Sequence, residues 1–302
     1  MVTFVLVTQR LVCTCILAGA LMVFNVKLKM SRFLVVLKRP LLALLLFLVF
    51  QAMAGMTLLV ARMVAGGGDM STTMQEAFFD ANLMGIATFA CNVLMALSCL
   101  YLFRRSLYAN SDYVPSSTNR KRSQVAILAC VLATIALNLL SEIVALPNIM
   151  EEQMMVMCRE PWGMLAIAVG APLGEEVMFR WGIMGHMLRR NVSAPLAIVV
   201  SSVLFGLLHM NPAQVFFATA MGIMLGILYW RSGNLLWPFL LHFFNNSLAC
   251  LQVWYMGDKI RDYSMVEAVG GTTMAWVMIV VLLLICTVIL WWYVGETEKR
   301  YR

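Results

Sequence analysis

The stretch "GAPLGEEVMFR", residues 170–180, places Glu175, Glu176 and Arg180 within six positions of an otherwise apolar run. An ionised side chain at the centre of a bilayer costs roughly 2.5–3.5 kcal/mol on insertion scales, so such residues usually face a protein interior and are paired. Glu176 and Arg180 are one helical turn apart with the acid first, which is the favourable order for a salt bridge. Glu175 points about 100° away from Glu176 and has no partner within this stretch.

The composition around this stretch is that of a membrane protein. The chain has 302 residues, of which 62% are hydrophobic and 12% are charged, and its mean hydropathy is +0.85. A soluble domain carries about 25% charged residues. Because several continuous apolar runs reach the ~20 residues needed to cross a bilayer, the sequence predicts an all-α polytopic membrane protein.

The apolar runs predict eight transmembrane helices. An additional N-terminal helix at 4–24 is left open because Arg10 interrupts it: this stretch is a ninth helix, an uncleaved signal-like segment, or residues upstream of a true start at Met30. The eight predicted spans are about 41–61, 83–103, 125–147, 161–188, 193–210, 213–230, 234–256 and 272–294.

The basic residues predict the orientation of these spans. Most of the 22 Lys and Arg lie in alternate loops, and the opposite loops hold most of the acidic residues. The positive-inside rule therefore places residue 40 and the C-terminus in the cytoplasm. We interpret the net charge of +7 as a membrane-orientation signal and expect no nucleic-acid partner, in an integral protein of a bacterial cytoplasmic membrane.

The eight cysteines do not indicate a disulfide framework. Seven lie inside apolar runs, where cysteine behaves as a small hydrophobic residue, and only Cys158 is predicted to be exposed in a loop. The absence of any CxxC pair argues against a zinc ribbon or a redox motif.

Two of the three histidines lie in apolar runs and bring polar neighbours with them. His209 ends "FGLLH", with Phe205 one turn before it, and His242 begins "HFFNN", with Asn246 one turn after it. Counted from the cytoplasmic turns, Glu175 and His209 both lie roughly 21 Å deep, and His242 and Asn246 about 12–22 Å deep. The side chains are therefore predicted to converge at one level.

This combination predicts a hydrolytic site. A buried carboxylate beside an imidazole can take a proton from water, and a second imidazole and an amide can stabilise a developing oxyanion. Each signal alone has a simpler interpretation, because Glu176–Arg180 can be a purely structural pair and a membrane histidine is more often an interhelical hydrogen bonder. Only their conjunction at one depth favours catalysis.

The same three motifs resemble those of a known family. "EEVMFR" (175–180) is similar to EExxxR, "FGLLH" (205–209) to FxxxH, and "HFFNN" (242–246) to HxxxN, in the order found in the CPBP family of intramembrane proteases, which are related to type II CAAX prenyl endopeptidases and bacteriocin-processing proteins. The resemblance covers about 160–257. It implies a CAAX-protease-like bundle with an intramembrane cavity.

The resemblance also implies residue roles. Glu175 and His209 would activate the catalytic water, His242 and Asn246 would stabilise the oxyanion, and Glu176, Arg180 and Phe205 would support the site, with Glu176 counted among the catalytic residues. Glu175, His209 and His242 are candidate ligands for zinc. Whether the cofactor is zinc or none is left open, and we favour a glutamate-activated water without an obligatory metal.

Four regions follow from this interpretation. Residues 1–40 form an N-terminal segment with the extra helix and a basic cytoplasmic stretch, 41–124 a helix pair with a cytoplasmic loop, 125–257 the catalytic helical core, and 258–302 a C-terminal helix and basic tail. The expected partners are membrane lipid and a protein or peptide substrate entering from the membrane. The alternatives are a proton- or ion-coupled transporter and a non-catalytic membrane scaffold or immunity protein.

Overall fold

The computed structural model describes residues 30–64, 80–104 and 120–295, and its regular structure in these ranges is helical, without a strand. The predicted all-α polytopic membrane class is confirmed. The predicted extra helix at 4–24 and most of the predicted cytoplasmic loop at 104–124 lie outside the described residues.

Each of the eight predicted spans corresponds to a helix. The short helices α4 and α9 lie in the connections between the long ones. In chain order the helices are α1 Met30–Val64, α2 Ala81–Phe103, α3 Arg120–Val144, α4 Glu151–Arg159, α5 Pro161–Leu188, α6 Ala194–Leu207, α7 Pro212–Ser232, α8 Leu236–Met256, α9 Met265–Ala268 and α10 Thr272–Gly295.

The predicted count of eight membrane-spanning helices is not supported. In the described ranges, six helices are long and apolar enough to cross a membrane: α1 (over Val36–Thr57), α2, α3, α5, α7 and α10. Helix α6 has only 14 residues. Helix α8 has 21 residues, but His242, Asn245 and Asn246 lower its hydropathy. The two helices that fall short are thus the two that carry the FxxxH and HxxxN motifs.

The predicted span 193–210 ends earlier than expected, because α6 stops at Leu207. Asn211 precedes Pro212, the first residue of α7, and has an extended backbone with φ −124° and ψ 116°, as residues before proline usually do. Met210 has a left-handed φ of 51°. His209 was predicted to lie inside a helix, but it lies in the turn between α6 and α7.

Small residues bring α6 and α7 into close backbone contact. A Cβ on Gly206 would overlap Thr219 Oγ1 and lie 2.8 Å from the Val215 carbonyl oxygen, and a Cβ on Gly222 would lie 3.0 Å from the Ser202 Cβ. Such close approach through small residues is typical of helices packed within membranes. It fixes the position of the turn that carries His209.

The remaining helices surround this centre. Helix α10 packs on α3, α1 packs on α2, and α8 contacts α3, α5 and α7. Many large apolar side chains of α1 and α10, such as Leu45 and Leu284, are more than half exposed. In a membrane these faces contact acyl chains, so α1 and α10 lie at the periphery and α5 to α8 form the interior.

Candidate active site

Glu175 and Glu176 lie in a short α-helical segment of α5, Ala171–Glu176, between two π-helical segments, Ala166–Gly170 and Val177–Met184. Pro172 explains the first of them. Its ring would clash with the carbonyl four residues earlier in a regular α-helix, and a wider turn relieves this clash. Single π turns inside α-helices occur frequently at functional sites, and the apolar pattern alone did not predict them.

Glu176 is the centre of a buried polar network. Arg180 Nε lies 3.2 Å from Glu176 Oε2, so the predicted pair forms. The other carboxylate oxygen, Oε1, accepts a hydrogen bond from His242 Nδ1 at 2.9 Å. Arg180 and Glu176 are 0% and 1% exposed. Because a buried charge requires a partner, each of these groups depends on the others.

Arg180 also connects α5 to α6 and α7. Its Nη2 donates to the Gly222 carbonyl oxygen at 3.4 Å, and its guanidinium lies 4.4 Å from the centre of the Phe205 ring. A guanidinium over an aromatic face is attracted by the ring quadrupole. The EExxxR motif is thereby joined to the FxxxH motif.

Glu175 lies on the other side of the His242 ring. Its Oε2 is 3.8 Å from His242 Nε2, which is beyond hydrogen-bonding distance. This oxygen is buried and accepts no hydrogen bond from the described residues. The imidazole of His242 therefore stands between two consecutive glutamates, with Nδ1 bound to Glu176 and Nε2 directed towards Glu175.

His209 is oriented by the backbone of its own motif. Its Nδ1 lies 2.8 Å from the Phe205 carbonyl oxygen. Since a carbonyl can only accept, Nδ1 carries the hydrogen and Nε2 of the neutral ring is the acceptor. The Phe205 ring stands nearly perpendicular to His209 and His242, at centroid distances of 5.1 and 5.6 Å. Phe205 thus lies between the two histidines.

Asn246 contacts a carbonyl that α5 leaves without a donor. Its Nδ2 donates to the Ile167 oxygen at 2.9 Å. In the π segment, the Ala171 N–H bonds to Ala166, and the next donor in that register would be Pro172, which has no N–H. Asn246 supplies the missing donor and keeps its second amide hydrogen for another acceptor. Neither Asn246 nor His209 makes a direct polar contact with the glutamates among the described residues.

Two buried asparagines that the sequence analysis did not single out lie close to these motifs. Asn211 is fully buried, donates to Asn148 Oδ1 at 2.7 Å and accepts from the Ile149 N–H at 3.2 Å, so it ties the His209 turn to the loop after α3. Asn92 of α2 has a buried, unpartnered Oδ1 that would lie 2.7 Å from a Cβ on Gly174. A lone amide in an apolar run was the available signal for Asn92.

The candidate zinc ligands do not assemble into a three-ligand set. In the described part of the chain, no three His, Cys, Asp or Glu side chains are close enough together to hold a metal ion. Glu175 and His242 approach each other, but His242 already binds Glu176. These side chains therefore do not fit the His₂Glu arrangement.

The predicted intramembrane cavity does not coincide with the largest grooves described. Grooves of about 520 and 420 Å³ lie on α1 and α2, lined among others by Leu42 and Tyr101 and by Met53 and Val60. No predicted site residue lines either of them. They are lipid-facing surface features, and a cavity at Glu175 stays a prediction.

Comparison with known proteins identifies the part of the chain that holds this network. Residues 158–248 match the family model described as type II CAAX prenyl endopeptidase Rce1-like. No curated protein and no solved structure matches the chain. The matched range contains all three motifs, which confirms the predicted resemblance. Residues 158–248 are thus similar to a CAAX-type protease domain, and the six long apolar helices support an integral membrane protein.

Proposed function

We propose that the protein is an intramembrane endopeptidase that hydrolyses a peptide bond in a membrane-associated protein or peptide. The observation that carries the proposal is the position of His242, with Nδ1 bound to Glu176 at 2.9 Å and Nε2 facing Glu175 at 3.8 Å. Two adjacent carboxylates on one imidazole allow one of them to orient the ring while the other acts as a base. A purely structural ion pair would need only one carboxylate.

Glu175 is the proposed general base. Its Oε2 has no protein donor among the described residues, so it is free to accept a proton from a bound water. The acceptor Nε2 of His209 holds the second hydrogen of that water. The water oxygen forms a bond to the scissile carbonyl carbon while its proton passes to Glu175, which produces a tetrahedral oxyanion.

His242 and Asn246 are the proposed oxyanion donors. When His242 is protonated, the Nδ1 hydrogen bond to Glu176 stabilises the imidazolium and Nε2–H donates to the oxyanion. Arg180 places a positive charge 3.2 Å from the other oxygen of Glu176. Asn246 contributes its remaining amide hydrogen. When the carbon–nitrogen bond breaks, the leaving amine takes the proton from Glu175 and the carbonyl is restored.

We further propose that all eight long helices cross the membrane, with the C-terminus in the cytoplasm. In this topology the shortness of α6 and the polarity of α8 are consequences of the site, because each of these helices packs one face against α5. The substrate enters from the membrane, and the localisation is a bacterial cytoplasmic membrane.

The test is cleavage by purified wild type and by Glu175→Gln, His209→Ala and His242→Ala variants. The substrates are a prenylated CaaX-type peptide, a leader peptide and a single membrane segment. Loss of general-base or oxyanion groups is expected to lower kcat by roughly 10²–10⁴-fold. Glu151→Gln, on the exposed first turn of α4, is the matched control. Equal cleavage of a substrate by all five proteins rules the site out.

A further inference from the structure

Two cysteines far apart in the chain meet at the junction of α4 and α8. The Sγ atoms of Cys158 and Cys250 are 3.1 Å apart, although the residues are 92 positions apart in sequence. They are 1% and 0% exposed. The prediction that Cys158 is exposed in a loop was wrong, because it lies on the buried face of α4.

We propose that Cys158 and Cys250 are a disulfide-forming pair that fastens α4 to α8. A disulfide requires sulfur atoms about 2.05 Å apart, so bond formation moves them together by only about 1 Å. No large backbone rearrangement is needed, since α4 and α8 are already packed against each other.

Two exposed ion pairs lie at the same junction. Arg159 Nη2 lies 2.6 Å from Asp258 Oδ1, and Arg261 Nη2 lies 2.7 Å from Glu152 Oε2. Asp258 and Arg261 belong to the 3₁₀ turn Gly257–Asp262 that follows α8. Both pairs join α4 to the turn that follows α8, so the two elements that carry the thiols also meet through exposed side chains.

The chemistry is thiol–disulfide exchange with a disulfide oxidant. One cysteine attacks the oxidant as a thiolate and forms a mixed disulfide, and the second displaces the oxidant's other sulfur. One S–S bond forms in the protein, and two electrons and two protons pass to the oxidant, which leaves as two thiols. Because both thiols are buried, the oxidant reaches them only when α4 moves away from α8, so exchange is slow.

The position of the disulfide in the fold indicates its role. In the proposed topology the α4–α8 junction lies on the side of the membrane away from the cytoplasm. Disulfides persist in such oxidising surroundings. Cys250 is one helical turn beyond Asn246 and two beyond His242, on the same face of α8. The disulfide would therefore anchor the outer end of the helix that presents both proposed oxyanion donors.

The experiment counts the cysteines held in disulfides. The full-length protein, reduced and then incubated with oxidised glutathione, is blocked with N-ethylmaleimide, denatured, reduced and labelled with a polyethylene glycol maleimide. We expect wild type to gain two labels that Cys158→Ser and Cys250→Ser both lack. Cys130→Ser is the matched control, because Cys130 also hydrogen-bonds a buried thiol, that of Cys286, but lies in the middle of α3. It is expected to keep both labels.

Several outcomes would overturn the proposal. They are a wild-type protein without labels, a single label from a mixed disulfide, and two labels that survive in Cys158→Ser.

A second arm measures thermal unfolding. Closing a loop of this length is expected to raise the Tm of oxidised wild type by ~5 °C or more over the reduced protein, with no difference in Cys158→Ser. Neither arm depends on peptidase activity, so failure here leaves the proposed function intact.

Discussion

The carboxylate of Glu176 has a different neighbour on each oxygen, Arg180 on Oε2 and His242 on Oε1. All three side chains are buried. At the scale of single residues, the site therefore depends on one carboxylate that balances a cation and orients an imidazole at the same time. The Oε2 of Glu175, next in sequence, lies 3.8 Å from His242 Nε2, whereas Glu176 has Arg180 at 3.2 Å and His242 at 2.9 Å. Glu176 is therefore the more tightly held of the two acids, and Glu175 is the one available for chemistry.

Arg180→Ala is expected to be strongly destabilising. It leaves Glu176 buried without its cation, and breaking a buried pair in this way costs about 3–5 kcal/mol. Thermal unfolding of the purified protein in detergent measures the effect. The control is Arg261→Ala, because the Arg261–Glu152 pair is about half exposed on both sides and exposed pairs contribute about 0–1 kcal/mol. Equal Tm losses in the two variants would contradict the assigned role of Arg180.

At the scale of helices, the site is built from irregularities in α5 and α6. The π segments of α5 flank the two glutamates, and Pro172 leaves the Ile167 carbonyl to Asn246. Helix α6 ends two residues before His209. Each irregularity positions a polar side chain of the site. In a regular helix an apolar side chain would occupy that place, or the helix would extend beyond it.

Pro172→Ala is expected to lower kcat while leaving the protein folded. Alanine restores an N–H that competes with Asn246 for the Ile167 carbonyl and removes the steric reason for the π turn. Cleavage rate and Tm are measured together. Pro161→Ala, at the first turn of α5 where proline is well tolerated, is the control. A Pro172→Ala protein with wild-type kcat would show that the π segment is not needed to position the site.

Gly206→Ala is expected to destabilise the protein by about 1–3 kcal/mol, as overpacking does. The new methyl group would overlap Thr219 Oγ1 and approach the Val215 carbonyl, which forces α6 away from α7 and moves the His209 turn. Gly55→Ala is the matched control, since a Cβ there meets nothing within 4 Å. If both variants unfold at the wild-type temperature, the α6–α7 contact is looser than described.

The sequence predicted the parts of the site better than their connections. The three motifs and the helices that carry them follow from apolar periodicity and from isolated polar residues in apolar runs. The π turns and the early end of α6 depend on proline sterics within tertiary packing, which periodicity does not report. The Glu176–His242 contact and the burial of Cys158 depend on how α4, α5 and α8 pack, since i,i+4 spacing predicts only the Glu176–Arg180 pair.

At the scale of the whole molecule, the crossings of α6 and α8 determine on which side each later loop lies. If all eight long helices cross, the turns after Leu188 and after Ser232 lie on the same side as the C-terminus. If α6 does not cross, the two turns lie on opposite sides. The basic residues Arg189, Arg190 and Arg231 near these turns favour the first arrangement.

Reporter fusions test this topology. A fluorescent protein that folds only in the cytoplasm is expected to be active when fused after Asn191, after Gly233 or at the C-terminus. A phosphatase that is active only outside the cytoplasm is expected to work after Tyr263. A phosphatase-active fusion after Gly233 would mean that α6 or α7 does not cross, and the eight-crossing arrangement would then be wrong.

The division of roles between the two adjacent glutamates is tested most directly by measuring peptide cleavage and thermal unfolding of Glu175→Gln and Glu176→Gln side by side. We expect Glu175→Gln to lose roughly 10²–10⁴-fold in kcat with an unchanged Tm, because its Oε2 accepts no hydrogen bond from the described residues. Glu176→Gln is predicted to lose both activity and stability, because Arg180 and His242 lose their anion. A Glu175→Gln protein that cleaves at the wild-type rate would show that Glu175 is not the general base.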